Sequence, residues 1–364
     1  MTTLTLPELR YALLQGLVIP AHPLALTNSL VVDEQHQRAL TRYYVAAGAG
    51  GVAVGVHTTG FPIHDPKWGL YEPVLALAAE TATDALHKRT AELRDGWSAA
   101  VPFVRVAGLI GNTANAIREA GIAGALGYHC GLLSLGAWRD ATSSEMLAHC
   151  REVASVIPVF GFYLQPAVGG RLLDYAFWRE FAEIPQVVAI KVAPFNRYAT
   201  LEVLRAVADS GRTDIALYTG NDDAIVSDLL MDIAHAGFGA PHFVGGLLGQ
   251  WAVWTRSAVQ LFDTIREWRM TGRTEIPREW LTYGSSLTEA NAAIFDVANS
   301  FAGCLPGILE VLRRQGLVRN TLTLDDGERL SPGQSQLIAA VRTRFPSLTD
   351  DAFVAEHLDE WLRP

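Results

Sequence analysis

Lysine is nearly missing from this chain. Only Lys67, Lys88 and Lys191 occur in 364 residues, leaving 26 arginines among the 29 basic side chains. Those arginines are scattered and the formal charge is −9, so no basic surface for nucleic acid is expected. Cysteine is equally scarce. Cys130, Cys150 and Cys304 are odd in number, widely spaced and outside any paired motif, which argues against a disulfide framework or a structural zinc site and fits a reducing compartment. The apolar stretch from Tyr11 to Leu26 follows Glu8 and is broken by His22 and by glycine and proline. Neither a signal peptide nor a membrane span is therefore expected, and the chain reads as cytoplasmic. It has no Walker loop, no dinucleotide fingerprint and no clustered His or Cys, so no cofactor and no metal is expected. Internal repeats, low-complexity tracts and flexible linkers are also missing.

What remains is a composition of 49% hydrophobic and 18% charged residues, ordinary for a well-packed enzyme with a large core. Short β-rich runs alternate with helical stretches, the pattern of βα units on a parallel sheet. The expected strands are 16–21, 51–57, 100–107, 131–135, 158–163, 187–191, 214–218 and 242–246. Helical spacing of apolar positions predicts helices over 33–47, 142–155, 200–209 and 223–236. Eight such units predict a (β/α)8 TIM barrel over 1–255. From about Arg256 the strands stop, and helices are expected over 260–270, 289–302, 307–315, 334–345 and 350–362. Residues 256–364 thus form a C-terminal helical region, with 319–332 as a loop.

Lys191 stands out because it interrupts the apolar run Val187-Val188-Ala189-Ile190-Lys191-Val192-Ala193. One reading is a strand-end lysine that snorkels its ammonium to water. The other is an amine that burial has stripped of its proton, which attacks ketones to form a Schiff base. Barrel chemistry gathers at the carboxyl ends of strands. Lys191 is expected to end the sixth strand and Tyr163 the fifth, about 4.8 Å away, within reach of a phenol. Thr58 and Thr59, followed by Gly60, end the second strand and offer hydroxyls and N–H groups to a carboxylate.

These motifs resemble the dihydrodipicolinate synthase and N-acetylneuraminate lyase family of Schiff-base-forming aldolases and dehydratases. Tyr163-Leu164-Gln165-Pro166 is similar to the family's Tyr-Asn-x-Pro motif, and Lys191 follows Tyr163 by 28 residues, as the family lysine follows its tyrosine. His57-Thr58-Thr59-Gly60-Phe61 resembles the Gly-Thr-Thr-Gly-Glu signature, Ala107 to Thr113 the third-strand segment, Thr219-Gly220-Asn221-Asp222-Asp223 the Ser-Gly-Asp-Asp turn and Phe243-Val244-Gly245-Gly246 the last strand. The resemblance implies that Lys191 condenses with a 2-keto acid, that Tyr163 shuttles protons and that Thr59 relays them. It also implies that Thr58 binds the substrate carboxylate, while Gly220 and Val244 supply carbonyls near the imine. A homo-oligomer, dimer or tetramer, is implied as well. Asp222 and Asp223 read as a helix cap.

Departures from the family narrow this expectation. Phe61 replaces its glutamate, Trp138 lies in the loop that lends a tyrosine to the neighbouring subunit in the synthases, and Val168 stands at the place of their arginine. A lysine-pathway dihydrodipicolinate synthase is therefore not expected. His57 stands at a family glycine, where it either touches substrate or fills space. Trp138, with Trp68, Trp251 or Trp254, suits an aromatic substrate, whereas Arg139, Arg171 and Arg197 suit an acidic sugar. The leading expectation is a lyase that cleaves or forms a C–C bond next to pyruvate. A 2-keto-3-deoxy acid dehydratase is the first alternative and a non-catalytic keto-acid-binding paralogue the second.

Overall fold

The structure is a computed structural model that describes residues 4–92, 102–234 and 241–364. Its strands are β1 (Val18–Pro20), β2 (Gly51–Val54), β3 (Val104–Leu109), β4 (Cys130–Leu133), β5 (Val159–Leu164), β6 (Val187–Ala193), β7 (Ala216–Thr219) and β8 (Gly245–Leu248). The helices of the βα part are α1 (Leu6–Leu14), α2 (Glu34–Ala47), α3 (Tyr71–Glu92), α4 (Thr113–Ala125), α5 (Ser143–Ala154), α6 (Tyr175–Phe181), α7 (Arg197–Asp209) and α8 (Ile225–Leu230). Then come α9 (Thr255–Met270), α10 (Arg278–Ile294), α11 (Cys304–Gln315), α12 (Gln334–Arg344) and α13 (Asp351–Trp361). The sheet order is β1-β8-β7-β6-β5-β4-β3-β2, and a parallel bridge between Ala21 and Ala53 joins its two ends. This is a (β/α)8 barrel followed by helices, as the alternation predicts.

All eight expected strands are present, with ends displaced by a few residues. Residues 100 and 101 of the expected third strand, and 235 and 236 of the expected helix 223–236, lie outside the described residues. That helix is shorter than expected, and its N-cap is Ala224, without a side-chain cap, rather than Asp222 or Asp223. The expected helix 289–302 stops at Ile294 because Asp296, Ser300 and Phe301 take positive φ values of 57°, 53° and 68°. A helix cannot pass through left-handed residues.

By compactness the chain divides into two units. One comprises Met1–Leu17 with Val104–Leu247, the other Val18–Phe103 with Leu248–Pro364. In the first, β3 to β8 pair in parallel and α1 packs against β3, β6 and β7. All seven residues of β6 are buried, which is why this strand reads as an unbroken apolar run rather than an alternating one. In the second unit, α2 packs on α3, α9 and α13. Asp33 caps α2 and left-handed Gly48 ends it. The buried Asp350 carboxylate accepts from the Tyr43 hydroxyl at 2.7 Å, the Arg256 N–H at 2.9 Å and Gln315 Nε2 at 2.9 Å. It fastens the C-terminal helices to α2, and burial raises its pKa.

Candidate active site

In the first unit Lys191 lies within β6, two residues before its end, and is 7% exposed. The parallel register places it beside Phe162 of β5 and Tyr218 of β7. Paired residues of neighbouring strands project to the same face, and the Lys191 Nζ stands over the Phe162 ring, 4.6 Å from its centroid. Phe160 continues this face, in edge contact with Tyr218 at 5.3 Å, and the Tyr218 phenol donates to the Leu13 carbonyl at 2.8 Å. Burial pushes the Lys191 amine down to about 8, against the pull of the Asp222 carboxylate, which favours the ammonium. The snorkelling alternative therefore loses its premise, since the amine is enclosed.

Gly220, at the end of β7, gives the lysine its space. A methyl group there would lie 2.6 Å from Lys191 Cε and 2.8 Å from Ala193 Cβ, too close for any side chain but hydrogen. The Gly220 N–H donates to the Val192 carbonyl at 2.8 Å, which seats the turn against β6. Its neighbours lock it further. Asp228, fully buried, accepts from Thr219 Oγ1 at 2.6 Å and Asn221 Nδ2 at 3.0 Å and pairs with Arg197. The Asn221 amide oxygen accepts from the Phe195 N–H at 3.1 Å, while its nitrogen also donates to Thr200 Oγ1 at 3.2 Å. One amide thus joins the turn after β6 to the turn after β7.

Tyr163 is where sequence and structure part. Strand alternation sends successive side chains to opposite faces, and because Phe162 shares the face of Lys191, Tyr163 takes the other. Gly161 confirms that direction, since a methyl group on it would meet the Phe181 ring of α6 at 2.7 Å. The Tyr163 ring packs on Trp178 of α6 at 5.4 Å, and its hydroxyl accepts from the Leu173 N–H at 3.2 Å. The structure does not bring this phenol to the amine. Spacing along the chain is preserved, but the register puts Phe162 opposite the lysine.

Val244 is also displaced from its expected place. It precedes β8, and its N–H donates to the Leu217 carbonyl at 3.0 Å. Gly245 and Gly246 pair with Tyr218 and Thr219, so the carboxyl end of the strand falls at Leu247 and Leu248. Trp138 is half-buried. Its Nε1 donates to the Gly111 carbonyl at 3.1 Å, and its ring lies 4.6 Å from that of His149, which burial drives down to about 4. Arg171 donates to the Trp138 and Ala141 carbonyls, and Arg197 is engaged by Asp228. Both arginines fasten loops.

The second unit carries the threonine turn. Residues His57–Thr59 form one 3-10 turn, ended by Gly60 at φ 91°. The Thr59 hydroxyl donates to the His22 carbonyl at 2.7 Å and accepts from the N–H groups of Gly55 and Val56 at 3.0 and 3.2 Å. Its single hydrogen is committed to His22, and the N–H groups of Thr59 and Gly60 are committed inside the turn, to the Val56 and His57 carbonyls. The relay expected of Thr59 is a turn lock in this structure. Thr58 is buried beside Gly249, where a methyl group would lie 3.4 Å from its Oγ1 and 3.5 Å from the Phe295 ring. His57 meets Phe61 edge-on at 5.7 Å, so the two rings pack together.

Sequence reasoning passed over Phe162, Asn221 and Asp228. Period-two alternation through 158–163 holds the signal for Phe162. Nothing local marks Asp228, which lies seven residues from the amide it holds. Among the described residues no group of three or more His, Cys, Asp or Glu is arranged for a metal ion, and no helix is long and apolar enough to cross a membrane.

No family model and no curated protein matches the sequence. Solved structures do match in fold. Dihydrodipicolinate synthase of Aquifex aeolicus is 17% identical with a TM-score of 0.69, covering 92% of this chain and 99% of that one. N-acetylneuraminate lyase of Fusobacterium nucleatum, complexed with pyruvate, is 15% identical with a TM-score of 0.68, covering 92% and 99%. A prophage protein of E. coli K12, of the dihydrodipicolinic acid synthase family and also in complex with pyruvate, is 17% identical with a TM-score of 0.69 over 92% and 98%. At these identities the likeness establishes the barrel and its helical continuation.

Proposed function

We propose that this protein is a lyase of the dihydrodipicolinate synthase and N-acetylneuraminate lyase type, in which Lys191 forms a Schiff base with a 2-keto acid. The carrying observation is an enclosed amine on the sixth barrel strand whose proton burial loosens to about 8. At pH 7 roughly a tenth of such amines are neutral, against about 0.03% of ordinary lysines. The neutral lone pair attacks the keto carbon. The keto oxygen leaves as water, taking one proton from the amine and one from solvent, and the nitrogen keeps a positive charge. When the hydroxyl on C4 gives up its proton, the C3–C4 bond breaks and its electron pair flows toward the iminium at C2, giving an enamine and a released carbonyl compound, or the same step runs backwards. In this reading residues 1–255 carry the chemistry.

The test is borohydride reduction with pyruvate, followed by intact and peptide mass spectrometry. An adduct on Lys191 that Lys191→Ala abolishes is expected; its absence with pyruvate and with longer keto acids overturns the reading. The outward phenol of Tyr163 favours a second reading, a paralogue that binds a keto acid as an imine without breaking a bond. A trapped adduct without turnover of any hydroxy-keto acid would identify it.

A further inference from the structure

We infer that Phe162 is a catalytic residue whose ring face stabilises the positive charge on the Lys191 nitrogen, as the ammonium at rest and as the iminium during reaction. This inference rests on the Schiff-base reading for its chemical step, but its geometry stands alone. Three observations carry it. The β5–β6 register makes Phe162 and Lys191 direct partners. The nitrogen lies over the ring, 4.6 Å from the centroid, inside the roughly 6 Å range of a cation–π contact. Both partners are enclosed, Phe162 at 4% and Lys191 at 7% exposure, so water does little to screen the attraction.

A phenyl ring in this place has a different chemistry from a phenol. It offers no proton and accepts none, but the negative face of its quadrupole attracts a cation. In the condensation the nitrogen passes from neutral amine to iminium, and the ring attracts only the charged species. It therefore favours the iminium over the neutral amine, though not over the ammonium, without taking part in proton transfer. Gly220, in the turn after β7, leaves room for the Lys191 stem, and the carboxylate of Asp222 acts on the amine. Carboxylate and ring are thus the neighbours that set where the charge sits.

The experiment replaces Phe162 with mono-, di- and trifluorophenylalanine, which weaken the ring quadrupole in steps with little change in size. Phe162→Leu serves as the ring-free control. Two readouts are taken on the whole chain: the fraction of Lys191 trapped as pyruvyl adduct by cyanoborohydride, and the titration of Lys191 followed through its 13Cε resonance. Above about pH 9, where the resting amine is neutral, the iminium equilibrium is expected to fall stepwise, about tenfold across the series, and the Lys191 midpoint to move down in parallel. Constant values of both across the series overturn the inference, leaving the ring as packing. If wild-type protein forms no adduct, the Schiff-base reading fails, while the titration still decides whether the ring holds the charge.

Discussion

The enclosed amine makes a quantitative prediction that needs no substrate. Because only three lysines occur, replacing exposed Lys67 and Lys88 by arginine leaves one lysine side chain in the protein. Selective 13Cε labelling then reports Lys191 alone. Burial places its midpoint near 8, so the resonance should change almost fully between pH 7 and 9. The same shift is a statement about stability. The unfolded chain holds this proton up to about pH 10.5, whereas the folded chain releases it near 8. Between those values the unfolded state binds more protons, and stability rises with pH. Below about 8 the penalty for enclosing the ammonium is fully present. A difference of 2.5 pKa units corresponds to about 3 kcal/mol, so Lys191→Met should stabilise the protein by up to that amount at pH 7, and by much less at pH 10. Urea titrations of both proteins at the two pH values check it. A midpoint above 10, or a Lys191→Met protein no more stable than its parent at pH 7, would refute the account of the site.

Other perturbations separate the roles of neighbouring residues. Gly220→Ala places a methyl group 2.6 Å from Lys191 Cε and should lower adduct formation at least a hundredfold while circular dichroism stays unchanged. Tyr163→Phe removes an acceptor from the Leu173 N–H and should cost about 1 kcal/mol in denaturant while changing adduct formation less than threefold; a loss of a hundredfold would restore the phenol to the chemistry. Thr59→Val deletes one donor and one shared acceptor in the second-strand turn and should destabilise by about 2 kcal/mol, measured by thermal unfolding.

Much of the barrel is legible in the sequence because each of its strands is a short apolar run set between helical stretches. Lys191 is legible for the same reason: a charge inside a fully enclosed strand breaks a pattern that nothing else in β6 breaks. The neighbours of Lys191 are less so. A spacing of 28 residues between Tyr163 and Lys191 fixes how much chain separates them, but not which face each takes. One residue of register reverses that face, and pairing is decided by the whole sheet. The turn after β7 shows another limit. Thr219, Gly220 and Asn221 are visible as a turn, but the carboxylate that orders them comes from α8, and only folding brings Asp228 under it. The end of α10 was hidden because the residues that stop it, Asp296, Ser300 and Phe301, are neither glycine nor proline.

The amide of Asn221 carries a further consequence. It accepts from one backbone N–H and donates both to a hydroxyl and to a carboxylate. Its polarity is therefore prescribed atom by atom. Aspartate has the same shape but would set two acceptors against each other at Asp228, leucine would leave Phe195 and Asp228 each short of a partner, and glutamine would overreach. The position admits one amino acid of the twenty. Two loops 26 residues apart in the chain share a single lock, so a change in the length of either would have to keep the Asn221 oxygen at the Phe195 N–H and its nitrogen at Asp228.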